Sequence, residues 1–403
     1  MRYQKLSLWI FLIGLFLPLA GYASFIETTM GTAVVNDATA AYFNPAALVL
    51  LKNPQIIPLG TVSRFQTKFT GQSTTVSTNF TALGTSNSVT YYYSPNIYFA
   101  LPVNAKLTLG LAVVSNFANR DPEENSILRY VQSSNTIQDY NFVPSFGVKI
   151  NEKVSLGAGI NVSYLVFNLQ PISGFPGSNI ADSQSNNNSN GTGVGANAGF
   201  LLQPARGTLI GFNYRSVTTY RESGTSVINS PTQVTSDNYH FKSRTPARST
   251  LSISQFITPT FGLITTIQRI QWNIIKNINV YSVATSTGST AVITDASTPY
   301  YLHNTWVFTL GGNYQFTPKW IVRVAGTYFQ SPDNGHYQIS TGNSYILGAS
   351  LGYQINKTFT LDGSYAHAFI QNESINISGS RFLVNGSNQA SRDVASLKLT
   401  WNL

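Results

Sequence analysis

The chain has no cysteine among its 403 residues, so neither disulfides nor thiolate chemistry are available to it. Charge is scarce as well: 10% of residues are Asp, Glu, Lys or Arg, against about 25% in ordinary soluble domains. Apolar runs long enough for a membrane helix, about 20 residues, are missing beyond the N-terminus. Also missing are a G-x-S-x-G nucleophile elbow, a Gly-rich Lys-Ser/Thr phosphate loop, and His/acid clusters at metal-ligand spacing. The only histidines are His240, His303, His336 and His367. Three are expected at loops or strand ends and His367, alternating with Tyr365 and Phe369, as an interfacial aromatic. Catalysis is therefore not expected, and neither a cofactor nor a metal. The net charge of +9 carries no Lys/Arg stripe, which argues against a nucleic-acid partner. It fits solubility and contact with anionic lipid headgroups, or attraction of an anionic solute.

What the chain does have begins with an address. Arg2 and Lys5 precede the apolar run "LSLWIFLIGLFLPLA" and the small residues of "GYA" at 21–23. This pattern predicts a signal peptide over 1–23 with cleavage after Ala23, rather than a membrane anchor, because no positive stop-transfer cluster follows. The exported chain is rich in aromatics (22 Tyr, 24 Phe) and in Gly, Ser, Thr and Asn. Such a composition suits a surface half in lipid and half facing a wet lumen.

From about residue 55 the chain alternates with period two, the mark of strands. In "VSLGAGINVSYLV", Val154, Leu156, Ala158, Ile160, Val162 and Tyr164 share one face, and Ser155, Gly157, Gly159, Asn161 and Ser163 the other. "WVFTLGGNYQF" and "TFTLDGSYAHAF" repeat the pattern, and the terminal "VASLKLTWNL" puts Leu397, Leu399, Trp401 and Leu403 on one side. Tight turns at 102–107, 150–154, 203–207, 258–261, 317–320 and 355–359 alternate with seven longer polar segments near 70–89, 119–138, 169–190, 221–245, 276–300, 331–342 and 372–389. That spacing predicts an all-β fold: an antiparallel transmembrane barrel of about 14 strands over 55–403, closed as one unit in a bacterial outer membrane. The face taken by Arg269 in "FGLITTIQRIQW" is left open.

Ahead of the strands stands "NDATAAYFNPAALVLLKNP" (36–54), alanine-rich and broken by Asn-Pro. It has no lipid face to occupy, so its expected place is inside the lumen, which about 14 strands leave too wide for their own side chains to fill. Residues 24–54 then form a plug. Asn44 is suited to cap backbone donors and Pro45 to open a helical turn; the pair is either an anchoring turn or part of a gate.

These segments resemble the FadL-type outer-membrane transporters of long-chain fatty acids and related hydrocarbons. "GTAVVNDATAAYFNPAAL" is similar to that family's hatch motif, in which an acidic residue, here Asp37, and small residues precede Asn44-Pro45-Ala46. "NTWVFTLGGNYQFTPKWIVRVAGTYFQSPDN" followed by "YILGASLGYQINKTFTLDGSYAHAF" is the most specific part of the match. The resemblance implies a 14-stranded barrel with an N-terminal hatch, capture of hydrophobic solutes from outside, and sideways release into the membrane at a kinked strand. It places the kink near Gly110, on the strand flanked by Pro95 and Pro144, and makes Phe25 a candidate gate residue.

A fatty acid needs a cation for its carboxylate. Alternation puts Lys149, Arg215, Arg323 and Lys398 on the lumenal face, where each either pairs with a solute carboxylate or anchors the plug through Asp362, Asp37 or Glu27. The fifth strand, "SYLVFNLQ", has no Lys or Arg where the resemblance implies one, which leaves a neutral hydrocarbon open as the solute. The alternatives are a general porin or an aromatic-hydrocarbon channel, with adhesin or receptor loops compatible with either. The expected state is a monomer in contact with outer-membrane lipids and lipopolysaccharide.

Overall fold

A computed structural model describes residues 24–122, 126–333 and 335–403; the expected signal peptide lies outside them. The strands form one closed antiparallel barrel. In chain order they are β1 Gln55–Thr75, β2 Phe80–Pro102, β3 Leu107–Pro122, β4 Ser134–Lys149, β5 Val154–Gln170 and β6 Ser183–Leu202. Four bent strands follow, each in two pieces: β7 Thr208–Arg215 and Thr218–Ile228, β8 Val234–Thr245 and Arg248–Phe256, β9 Phe261–Ile270 and Asn277–Ser286, β10 Ala291–Pro299 and Thr305–Gln315. The last are β11 Trp320–Phe329, β12 Ser344–Gln354, β13 Phe359–Ile370 continued by Glu373–Ser378, and β14 Phe382–Asn402. Each strand pairs with the next, and β14 closes onto β1 with Gln55 opposite Asn402 and Thr75 opposite Phe382. Closure leaves no unpaired edge, which a bilayer would penalise.

The period-two faces fall as the alternation predicts. Along β5, Leu156, Ile160, Val162 and Tyr164 are exposed on the outer wall while Ser155, Gly157, Gly159, Asn161 and Ser163 face inward and are buried. Aromatics mark both ends of the outer band: Phe316, Trp320 and Tyr353 stack near the short turns, and Trp306 with Phe308 near the opposite rim. The six tight turns are where the sequence puts them, but the long loops are shorter than the polar composition suggests. β1 and β2 run on to Thr75 and Phe80 through the expected 70–89 loop. A strand of 21 or 23 residues is twice the 9–11 or so that span a bilayer, so its polar end is hairpin standing outside the membrane. Arg269 is exposed on the outer face, opposite Trp306.

Residues 24–54 contain no strand. They fold as α1 Phe25–Thr29, a 3-10 turn Thr32–Val34, α2 Ala40–Phe43 and a 3-10 turn Pro45–Leu50, and nearly every side chain from Ser24 to Leu48 is buried against the inner wall.

Candidate functional site

Three features meet inside the barrel: the N-terminal segment, an apolar lining above it, and interruptions in the wall beside it.

The segment is held first by shape. Inward glycines let its backbone lie on the wall: a Cβ on Gly157 would sit 2.2 Å from the Ala46 nitrogen, and one on Gly211 would sit 2.0 Å from the Ala33 carbonyl oxygen. Gly110 gives room in the same way to Ala41 and Leu48. Asn44, fully buried, ties the turns together. Its Oδ1 accepts from the Ala46 amide at 3.2 Å, and its Nδ2 donates to the carbonyls of Ala33 (2.7 Å) and Phe200 (3.1 Å). Pro45 opens the turn, where its missing N–H is no loss. Ser24 caps α1 by accepting from the Ile26 amide at 3.0 Å.

Charge adds a second tie. The Lys398 ammonium, 1% exposed, lies 2.8 Å from Asp37 Oδ2, 3.9 Å from Asp362 Oδ2 and 4.0 Å from Glu27 Oε1. Arg323 Nη1 in turn reaches Asp362 Oδ1 at 2.8 Å. Burial alone would raise the Asp37 carboxyl, but Lys398 and the Thr39 hydrogen bonds outweigh it and hold the group below the usual carboxylate range. Glu27 lacks so close a cation, and burial pushes it up to about 7, with Lys398 opposing.

The four cations read from the sequence are thus not gathered in one place. Lys398 and Arg323 share the network just described. Arg215 donates to the Tyr42 carbonyl and stacks on the Tyr42 ring at 4.0 Å. Lys149 stands at the mouth beside a short turn, 2.8 Å from Glu152. Three of the four contact the N-terminal segment or the acid that faces it.

Above the segment the inward face changes character. Leu165, Phe167 and Leu169 on β5 continue the parity of Ser155 and Gly157 but are apolar, and they join Tyr239, Phe241, Trp272, Ile278 and Val280 in one buried cluster. A second cluster roofs it, where Leu128 and Val131 meet Phe69, Ile339 and Phe382. Small cavities remain on the inside. One of about 50 Å³ is lined by Phe65, Phe329, Ile346, Ala368, Ile370 and Arg392, and one of about 40 Å³ includes Tyr92, Ala118, Ile137 and Arg120. Phe25, 1% exposed, packs on Ile346 and Ala368, two residues that also line the first cavity. That sets it on β11–β13, apart from Gly110 on β3. Arg392 and Arg120 were not picked out from the sequence. Both occupy inward positions of β14 and β3, and alternation extended to the outer hairpins would have found them.

The wall is interrupted at both prolines that flank β3. Between β2 and β3 the ladder skips from Tyr93–Phe117 to Asn96–Val114. Pro95 has no N–H to give there, and the Ser115 amide turns to Asn96 Oδ1 at 3.0 Å. Between β4 and β5 it skips from Phe142–Val162 to Ser145–Gly159, over Pro144. Beside Pro144 the outer wall carries a cleft of about 550 Å³ among Leu109, Phe146, Ile160, Ala196 and Ala198, floored by the inward residues Ser145, Gly159 and Asn197. Asn197 Nδ2 donates to the Tyr42 carbonyl at 3.4 Å, so only the wall's thickness separates the cleft from the N-terminal segment. At Gly110 the ladder is unbroken on both sides.

Residues 28–400 match the family described as outer membrane protein transport protein (OMPP1/FadL/TodX). Outer membrane protein P1 of Haemophilus influenzae is 25% identical over 164 residues, 38% of this chain and 36% of that protein, so the aligned stretch spans about a third of the relative's length. The fold is similar to that of a Pseudomonas aeruginosa FadL homologue (TM-score 0.80, 18% identity, 92% of this chain and 95% of that one). It is similar too to that of the Pseudomonas putida toluene transporter TodX (TM-score 0.67, 15% identity, 94% and 97%).

Proposed function

Because the chain belongs to the FadL/TodX family of outer-membrane transport proteins, we propose that it carries hydrophobic solutes passively from outside into the outer membrane, acyl-chain carboxylates first among them. The observation that carries this reading is the change of the inner wall from Gly, Ser and Asn beside the hatch to Leu, Phe, Tyr and Trp above it. A porin gains nothing from such a lining, whereas a solute gains about 0.8 kcal/mol for each CH₂ that it withdraws from water. The solute enters beneath the loop residues Leu128 and Val131 and parts the apolar side chains of the lining to rest among them. Its carboxylate, where it has one, is taken by Arg392 or Arg120, which border the cavities. Residues 24–54 act as the hatch that denies ions a straight path, with Phe25 as its upper face. Release is sideways, through the cleft at Pro144, whose floor residue Asn197 also holds the N-terminal segment. No energy source is required, because the solute moves down its gradient into lipid.

A second reading, a channel for monoaromatic hydrocarbons, is favoured by the small cavities and by β5, whose inward residues Leu165, Phe167 and Leu169 offer no cation. TodX, named as a toluene transporter, shares the fold. Filling the cleft decides whether release is lateral. Ala158→Trp with Ala196→Trp should leave solute binding intact and slow delivery into lipid vesicles at least about tenfold, a barrier increase near 1.4 kcal/mol. Undiminished delivery by this variant would refute the exit at Pro144.

A further inference from the structure

The outer face of β7–β9 holds charge that transport does not explain. Arg221, Lys242, Arg244, Arg269 and Lys276 are all exposed there, and among the described residues none takes part in an ion pair. Arg221 and Lys242 are direct cross-strand partners, an arrangement of like charges that destabilises a sheet unless something anionic lies over it. Near β14, by contrast, an outer acid lies between two basic side chains. Arg64 stands opposite Asp393, and His367 lies 2.8 Å from the same carboxylate. In this sector the acid on β7, Glu222, faces inward and accepts from the Ser243 amide at 3.2 Å. Asp237 is exposed toward the hairpin tip, and Asp295, on β10 and about level with His240, is occupied in accepting from the Ser282 amide at 3.0 Å.

The backbone opens a seat at the same place. β8 and β9 pair at His240–Tyr281 and Phe241–Val280, then separate, and pair again only from Arg248–Ile270. The gap is a cleft of about 350 Å³ lined by His240, Lys242, Arg244, Ile274, Asn277 and Asn279. Below it on the outer face of β9 come Leu263 and Ile267, both exposed, and then Arg269 over the Trp306 ring at 5.9 Å. Read upward, the surface is apolar, then aromatic, then cationic with amide side chains. Acyl chains, the membrane interface and a phosphorylated sugar headgroup present the same order from the lipid side.

We propose that this sector is a binding site for a phosphorylated glycolipid of the outer leaflet, a lipopolysaccharide. The guanidinium groups of Arg221 and Arg244 hold phosphate oxygens in paired hydrogen bonds, Lys242, Arg269 and Lys276 add charge, and the amides of Asn277 and Asn279 meet sugar hydroxyls. The inference rests on the chain's place in the outer membrane and is independent of which solute is carried.

The test uses the full chain in detergent, with bound lipid A counted by native mass spectrometry and the folded barrel confirmed by heat-modifiable gel mobility. The variant Lys242→Ser/Arg244→Ser/Arg269→Ser should lose affinity for bisphosphorylated lipid A by roughly fivefold for each cation, about a hundredfold together. Removing two cations at the short turns, Lys106→Ser/Lys357→Ser, should leave affinity unchanged, and phosphate-free lipid A should bind the wild type as weakly as it binds the triple variant. Should the triple variant fail to fold, the three single variants give the same reading as graded losses. Equal binding by the variants, equal loss in the turn control, or indifference to phosphate would each overturn the site. Oleate or toluene binding, measured on the same protein, should not change, so failure of the lipid site and failure of the transport reading are told apart.

Discussion

Replacing Lys398 by Met is the sharpest perturbation of the closed state. The ammonium is 1% exposed and faces Asp37 at 2.8 Å, with Asp362 and Glu27 within 4.0 Å. After its removal Asp362 keeps Arg323 at 2.8 Å, but Asp37 keeps only the hydrogen bonds from Thr39. Breaking a buried pair from one side costs about 3–5 kcal/mol, chiefly because a charge is left buried without its partner. Nearly all of that cost falls on the docked hatch, since Asp37 returns to water when the hatch leaves the wall. At 1.4 kcal/mol per decade the open fraction should rise by at least about a hundredfold. Steady conductance in planar bilayers reads this fraction directly. Adding Asp37→Asn to Lys398→Met removes the stranded carboxylate and should restore much of the closure, a sign that deleting a mere packing contact would not give. A folded Lys398→Met barrel with the wild-type conductance would show that this pair does not hold the hatch, as would a double variant as leaky as the single.

Other consequences are open to test. Gly211→Val puts a Cβ 2.0 Å from the Ala33 carbonyl; overpacking of about 1–3 kcal/mol or more should expose residues 24–54 to protease, and unchanged protection would count against the docked arrangement. Glu27 sits near 7 in the folded state against an ordinary value near 4.3, with Asp37, Asp362, Lys398, Arg323 and Tyr98 around it. A raised carboxyl contributes stability that is full below its unfolded value and is lost as pH rises through about 7. Hatch closure should therefore weaken between pH 5 and pH 8, and Glu27→Gln should flatten that profile; a variant with the wild-type profile would assign the pH dependence elsewhere. Arg392→Ala should weaken oleate binding by about 1.5–3 kcal/mol and leave methyl oleate nearly unchanged; equal losses for acid and ester would remove the charge contact.

The barrel was legible because its constraint is periodic. A closed sheet between lipid and lumen forces alternate residues onto opposite solvents, so Leu156 and Ser155 declare their faces without any knowledge of their neighbours. The short turns were legible for a similar reason, since Asn104, Asn151 and Asn356 each supply the turn acceptor for amides two and three residues on. Loop length was not, because a strand leaving the bilayer keeps its hydrogen bonds while its composition turns polar. β1 and β2 are the clearest case. The apolar lining was half legible. Leu165 and Phe167 follow the inward parity, but their apolar type reads as lipid-facing unless the parity is carried up from Ser155. What the alternation could not reveal was pairing across the lumen. That Lys398 meets Asp37 rather than a solute depends on where the N-terminal segment crosses the barrel, which no local pattern records.

Transport of hydrophobic solutes through a closed barrel is tested most sharply by binding of oleate, methyl oleate and toluene to the purified full chain, paired with steady conductance of the same preparation. Saturable binding of at least one of the three is expected, lost when Phe329→Asp places a charge in the apolar lining, together with a closed baseline. No binding of any of them, with steady ion conductance through the wild-type barrel, would contradict it and leave a porin.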